Sequence, residues 1–392
     1  MQKQLYVRYL LILIPIVGIF ACGQSWGRFW EIPERDVCAL SRLEIIQPEN
    51  WRDVQTYLQK QAALGVYGDP VVSTITGPSG TELYHGGILG ANGKIYANPL
   101  NAAVHLEIDP TTDTFVTGAT APGTAAYTSA ALAPNGKIYM NGYNETLPRV
   151  LTPPFSPANT VGTSSSGGAH FTGTSLAPNG YIYGIPHLYT QVIKIFPATD
   201  THAYFGALGG GAKWAGSQLT PNGKIVAPPA DAGTVLEIDT SNDTTQQFGA
   251  LGATASKWFG ATLANSGKVY APPGATGTIL EIDPATNTTQ TFGSFAATGF
   301  NYLGGVYAPN GKIYFIPHAA AQVLELDTAT MTTRLLGPVF GAGNKWVSGV
   351  LAVNGKIYGI PRSASSQILI IDTRSVGSLC SPVIESAYFN KY

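Results

Sequence analysis

Asn310-Gly311-Lys312-Ile313-Tyr314 is one copy of a motif that returns along the chain at a fixed interval, and that interval decides the fold. Its glycine recurs as Gly93, Gly136, Gly180, Gly223, Gly267, Gly311 and Gly355, each 43 or 44 residues from the last. The second residue after each glycine is Ile or Val, and a proline stands six residues after it in all copies but the second, which has Gly142. Copy three carries Tyr181 in place of the lysine, and copy five Ser266 in place of the asparagine. Nine residues before each glycine stands an aromatic: Tyr84, Tyr127, Phe171, Trp214, Trp258, Tyr302 and Trp346, followed two residues later by Gly or Ser. A repeat of this length is one supersecondary unit that buries its apolar surface only against its neighbours.

Copy six shows what the unit is. Tyr302–Tyr307 and Lys312–Ile316 are β-type runs joined through Pro309-Asn310-Gly311, and both Asn and Gly accept the positive φ of a tight hairpin. Pro317 ends the second run; Gln322–Leu326 and Thr332–Leu336 follow, separated by a turn at Asp327–Thr330. Four short strands in about 44 residues, without helical periodicity, predict a propeller blade, and seven copies predict an all-β, seven-bladed β-propeller. With strands lettered A to D outward from the axis, copy seven supplies A, B and C and then stops near Ile371. The missing outer strand is expected from Val71-Val72-Ser73-Thr74-Ile75-Thr76, which is similar to Thr288-Thr289-Gln290-Thr291-Phe292. An N-terminal strand completing the last blade closes the ring and leaves few open edges.

Stretches such as NGKIYGIP (Asn354 to Pro361) and ILEIDPATNTTQTFG (Ile279 to Gly293) resemble YVTN-type and NHL-like β-propeller repeats. The resemblance spans residues 71 to about 374 and implies the architecture; it carries no catalytic residues onto this chain, because propellers serve as binding platforms, scaffolds and enzymes alike.

The flanks read differently. Lys3 and Arg8 precede an apolar stretch, Tyr9 to Phe20, too short to span a bilayer. It ends in Ile19-Phe20-Ala21-Cys22, which resembles a bacterial lipobox and implies cleavage before Cys22 and a lipid on that residue. The expected organisation is a signal peptide at 1–21, a tether at 22–70, the propeller at 71–376 and a C-terminal extension at 377–392. Within the tether, Pro48–Ala63 reads as one short helix with Asn50 as its N-cap, docked beside blade seven or spacing the ring from a membrane. Export places Cys38 and Cys380 in an oxidising compartment, where they are expected to pair near the seam of the ring.

Composition narrows the function. The chain has 392 residues, 44% hydrophobic and 11% charged, with a formal net charge of −1, so neither a disordered segment nor a nucleic-acid partner is indicated. The A–B and C–D turns are uniform between copies and share one face; the D–A and B–C loops vary and share the other, where binding residues are expected. Two positions recur at that mouth. The residue before the strand A aromatic includes His170, Lys213, Lys257 and Lys345; the residue after the strand B proline includes His187, His318 and Arg362. Together they predict a positive mouth that attracts an anionic ligand. The lysines after the turn glycines are expected to be solvated on the uniform face. No HExxH, GxSxG or P-loop is present, no metal-ligand set can be assembled, and no cofactor is implied.

The sequence thus reads as a monomeric, non-enzymatic binding module of the bacterial envelope, anchored in the outer membrane on its periplasmic side or at the cell surface. It would hold an anionic ligand or a surface or periplasmic protein; the alternative is a hydrolase or lyase with its site at the channel mouth. If Cys22 carries the lipid, cells fed a labelled fatty acid label the wild-type protein, and Cys22→Ala loses the label and leaves the membrane fraction. Equal labelling of both would contradict the assignment.

Overall fold

The structure, a computed structural model, describes residues 35–64, 69–121, 126–155, 159–162, 170–363, 367–374 and 380–389. The signal segment, Cys22 and the stretch 26–33 lie outside these residues. Seven four-stranded antiparallel sheets form the blades of a ring. Blade six runs Tyr302–Tyr307, Lys312–Pro317, Val323–Asp327 and Thr332–Leu336, within a residue of the bounds read from the sequence. In the last sheet the outer strand is Val71–Thr76, antiparallel to Gln367–Asp372, with Val71 opposite Asp372 and Thr76 opposite Gln367.

The recurring aromatic of strand A fills the wedge between blades. Trp214, Trp258 and Trp346 are fully buried, and their indole N–H groups donate to backbone carbonyls at the start of strand C, those of Thr234, Thr278 and Gln367. Strand A is shorter than expected in blades four and five, where only Gln218–Leu219 and Thr262–Leu263 pair regularly. There Gly216 and Gly260 take positive φ and donate to Thr172 O and Ala215 O of the preceding blade, at 2.7 and 3.2 Å. The inner strands so nearly touch that a Cβ on either glycine would meet the next blade's backbone, which is why glycine recurs two residues after the aromatic.

The lysines of the turn motif are partly exposed on the uniform face, and each also holds a carboxylate. In blades one, four, five and six, Lys94, Lys224, Lys268 and Lys312 pair with Glu107, Glu237, Glu281 and Glu325 of their own strand C, at 2.6 to 3.0 Å. In blades two and seven, Lys137 and Lys356 reach the next blade's C–D turn, at Asp200 (2.9 Å) and Asp113 (2.6 Å). Blade three, which has Tyr181 at the lysine position, supplies Lys194 from strand C to Asp243 of blade four at 2.6 Å. The motif tyrosine donates to the same carboxylate, as Tyr96 does to Glu107, Tyr139 to Asp200, Tyr183 to Asp243, Tyr270 to Glu281 and Tyr358 to Asp113. In blade four Val226 replaces that tyrosine, and Glu237 Oε2 is left buried without a partner.

The uniform face is covered by residues 37–64 and 380–389. Helix Trp51–Leu64 buries Trp51, Val54 and Leu58 on one stripe. Asn50 stands directly before the helix, at the end of the 3-10 turn Pro48–Asn50, and its side-chain amide donates to Glu44 O at 2.6 Å. The segment crosses the A–B turns of blades three and five, with Gln47 donating to Pro178 O at 2.9 Å and Gln55 to Asn265 O at 2.7 Å. Cys38 is bonded to Cys380. Beyond that bond, Tyr388 packs on Trp51 at 5.0 Å and donates to Ile46 O at 3.0 Å. Tyr388 and Phe389 also share a small hollow with the inner-strand residues Ala261, Gly305 and Gly349, plugging this end of the channel.

Glu281→Ala strips Lys268, Tyr270 and Gln290 of their shared acceptor. It should cost about 2–4 kcal/mol of unfolding free energy, read by urea denaturation. A loss within error of zero would show that the carboxylate is dispensable.

Candidate functional site at the channel mouth

On the variable-loop face the channel opens into a cavity of about 440 Å³ that takes lining residues from all seven blades. Two repeating positions build most of it. One is the residue after the strand B proline, which brings Leu100, Tyr143, His187, His318 and Arg362 to the wall. The other is the residue directly after the strand A aromatic, where His85, Thr128, Thr172, Phe259 and Leu303 line the channel. Sequence reading missed this second position. Its signal was variability: it differs from copy to copy while the aromatic before it and the Gly or Ser after it stay constant. The D–A and B–C loops add Glu82, Asp231, Ser256, Phe300 and Asn344.

Of the seven residues expected at the mouth, the structure brings His187, His318 and Arg362 to the cavity wall and places the other four outside its lining. The three lysines are buried, and their ammonium groups donate to carbonyls of the loops beside them: Lys213 to Gly211 O (2.9 Å), Lys257 to Gly252 O (3.0 Å) and Thr254 O (2.7 Å), and Lys345 to Gly343 O (3.2 Å). Burial lowers the pKa of all three. They pin loops rather than present charge. Their backbones are committed as well: Lys257 N donates to Ala230 O of blade four and Lys345 N to His318 O of blade six, links that stitch the rim together. His170 sits edge-on to Tyr143 with ring centroids 5.2 Å apart.

Three imidazoles in the cavity wall share one arrangement. Nδ1 of His85 meets Thr128 O at 3.1 Å, Nδ1 of His187 meets Trp214 O at 3.1 Å, and Nδ1 of His318 meets Trp346 O at 3.0 Å. A carbonyl oxygen only accepts, so Nδ1 carries the proton and the neutral ring keeps its lone pair on Nε2. Burial is the main force on each. It drives His318 down to about 4 and His85 down to about 3, with Arg362 adding to both, and it lowers His187. At neutral pH these rings are uncharged.

Among the described residues the cation in the cavity lining is therefore Arg362. Its Nη2 lies 3.3 Å from Glu82 Oε1, while its Nε is buried without a hydrogen-bond partner. On the far side of the ring Asp231 accepts from Ser256 N at 2.7 Å. Between them Phe259 and Phe300 meet edge to face with centroids 4.9 Å apart, and Phe300 is 44% exposed. Among the described residues, no three His, Cys, Asp or Glu side chains are grouped to hold a metal ion. The arrangement can bind an anionic group, offer lone pairs to donors and stack an apolar ring.

A family model described as a repeat of unknown function (DUF6923) matches residues 159–345. No curated protein matches the sequence. Among solved structures, a streptogramin B lyase is 13% identical over 77% of this chain and 97% of its own, with a TM-score of 0.66. Virginiamycin B lyase from Staphylococcus aureus is 11% identical over 78% of this chain and 99% of its own, TM-score 0.66. The extracellular domain of a B. thetaiotaomicron protein named as a hybrid two component system is 10% identical over 79% of this chain and 44% of that one, TM-score 0.60. At such identities the likeness shows the fold.

His318 and, between blades one and two, the buried His105 both have pKa values pushed from 6.5 down to about 4. The native state thus binds fewer protons than the unfolded chain between those values. Their contribution to stability is complete above about pH 7 and is lost as pH falls from about 6.5 through 4, on the order of 3 kcal/mol for each ring. Denaturation series across this window should show the decline, and His318→Gln should make it shallower. An identical slope in that variant would contradict the burial of a neutral ring.

Proposed function

We propose that this protein is a ligand-binding module of the bacterial cell envelope, lipid-anchored at Cys22, which seats an anionic ligand in the cup at the channel mouth. The observation that carries the reading is the cup itself, a cavity of about 440 Å³ lined from all seven blades. At the other end of the channel Tyr388 and Phe389 lie against the inner strands, which leaves the mouth as the open side among the described residues. Such a volume suits a small organic molecule. Among the described residues no helix is long and apolar enough to cross a membrane, and a lipid would supply the anchor. The fold shared with an extracellular domain supports an envelope location.

A lyase or hydrolase is the second reading. The neutral, backbone-anchored imidazoles favour it, as does the fold shared with virginiamycin B lyase. Against it, bases with pKa values near 3 and 4, as for His85 and His318, are weak at neutral pH, where a general base works best with a pKa near the operating value. Those rings serve better as fixed hydrogen-bond acceptors.

Thermal-shift measurements on the mature protein against a panel of small charged and neutral metabolites test the reading. A true ligand at a hundred times its Kd contributes about 2.7 kcal/mol, several degrees of melting temperature. The stabilisation should vanish in Leu303→Trp, which fills the cup, with the circular dichroism spectrum unchanged. No stabilising compound, or stabilisation that survives Leu303→Trp, overturns the proposal. Consumption of the bound compound, slowed in His187→Ala, would favour the enzyme.

A further inference from the structure

We infer that the ligand is an organic carboxylate with a flat apolar body, its carboxylate on Arg362 and its body on the shelf of Phe259 and Phe300. The inference rests on the binding reading above and narrows it.

The Arg362 guanidinium is only partly supplied with acceptors. Its Nε is buried with no hydrogen-bond partner, and its contact with Glu82 is a single long one, Nη2 to Oε1 at 3.3 Å. A guanidinium presents Nε–H and Nη–H as a fork that matches the two oxygens of a carboxylate, and such bidentate pairs are shorter and stronger than this one. Glu82 is a weak competitor: its side chain is 47% exposed and can turn to water when another carboxylate arrives.

The charge of the cup selects the anion. Among the described residues its lining holds one guanidinium, from Arg362, and two carboxylates, from Glu82 and Asp231. The three imidazoles add no charge, because burial holds them neutral. A dianion such as phosphate would enter a cup already short of positive charge. A monoanion that displaces Glu82 from Arg362 leaves the balance as it was.

The shelf selects the body. Phe259 and Phe300 meet at 67°, and Leu303 of the neighbouring inner strand lies beside Phe259 in one apolar cluster. Phe300 is 44% exposed, so this apolar surface at the mouth is open to a ligand. A flat ring stacked there gains apolar burial and ring–ring contact, while a charged sugar would gain neither.

Calorimetric titrations of the mature protein with 2-naphthoate, 2-naphthamide and inorganic phosphate test this. Naphthoate should bind at least about ten-fold more tightly than the isosteric amide. Arg362→Gln should bring the two to parity, Arg362→Lys should restore only part of the difference, and Glu82→Gln should strengthen naphthoate several-fold. That last gain is a result no misfolded variant gives. Parity in the wild type, a preference that survives Arg362→Gln, or displacement of naphthoate by phosphate overturns the inference. If neutral ligands stabilise the protein while naphthoate does not bind, the carboxylate assignment falls and the binding reading stands; if ligands of neither charge bind, both fall.

Discussion

One lysine ammonium and one carboxylate meet in every blade, and the fit between blades depends on which chain segment supplies the acid. Where strand C carries Glu opposite the motif, the pair closes inside the blade. Where strand C instead carries Val150, Lys194 or Ile370, the next blade's turn carries Asp200, Asp243 or Asp113, and the pair crosses the interface. The converse holds after blades four, five and six, whose neighbours have Asn287, Met331 and Arg374 at that turn position. Two acids at one site would repel each other, and none would leave a lysine and a tyrosine without an acceptor. The strand C glutamate and the next blade's aspartate replace each other in this way, while Asp109 and Asp327 add longer second contacts to Lys94 and Lys312 at 3.5 and 3.7 Å.

That constraint falls on the uniform face, and so does the cap. Turn asparagines add to the stitching, with Asn135, Asn179, Asn222 and Asn354 each donating to a carbonyl of the following blade. The helix Trp51–Leu64 and the segment around Tyr388 then cover the turns, joined through Cys38 and Cys380. With one face tied down and plugged, variation is free only at the other, where loops of different length surround the cup.

The fold was legible because a fixed interval of 43 or 44 residues survives any drift in individual strands, and the text of a strand D lay ahead of copy one. The site was legible in part. The position after the strand B proline falls on the cavity wall because a strand end fixes where its next residue goes. The lysines before the aromatic read wrongly because sequence position places a Cα, while a four-carbon stem can turn back under its own loop to carbonyls such as Gly252 O and Gly343 O. The channel-lining position was hidden by the irregular pairing of strand A: the register shifts just after the aromatic in blades one, two, three, six and seven, so simple alternation does not say which side chain faces inward. The helix could be read from its pattern, but not the turns it docks on, since docking depends on partners distant in the chain.

The six histidines are the natural reporters of the account, because His85, His187 and His318 line the cup while His105 and His202 lie elsewhere. Nitrogen-edited NMR of histidine side chains, with and without 2-naphthoate, reads their protonation state and their response to a ligand in the cup. The three cup histidines should show neutral, Nδ1-protonated rings at pH 7, with shifts confined to them on binding. Charged cup imidazoles, or shifts at His105 and His202 with the cup silent, would contradict it.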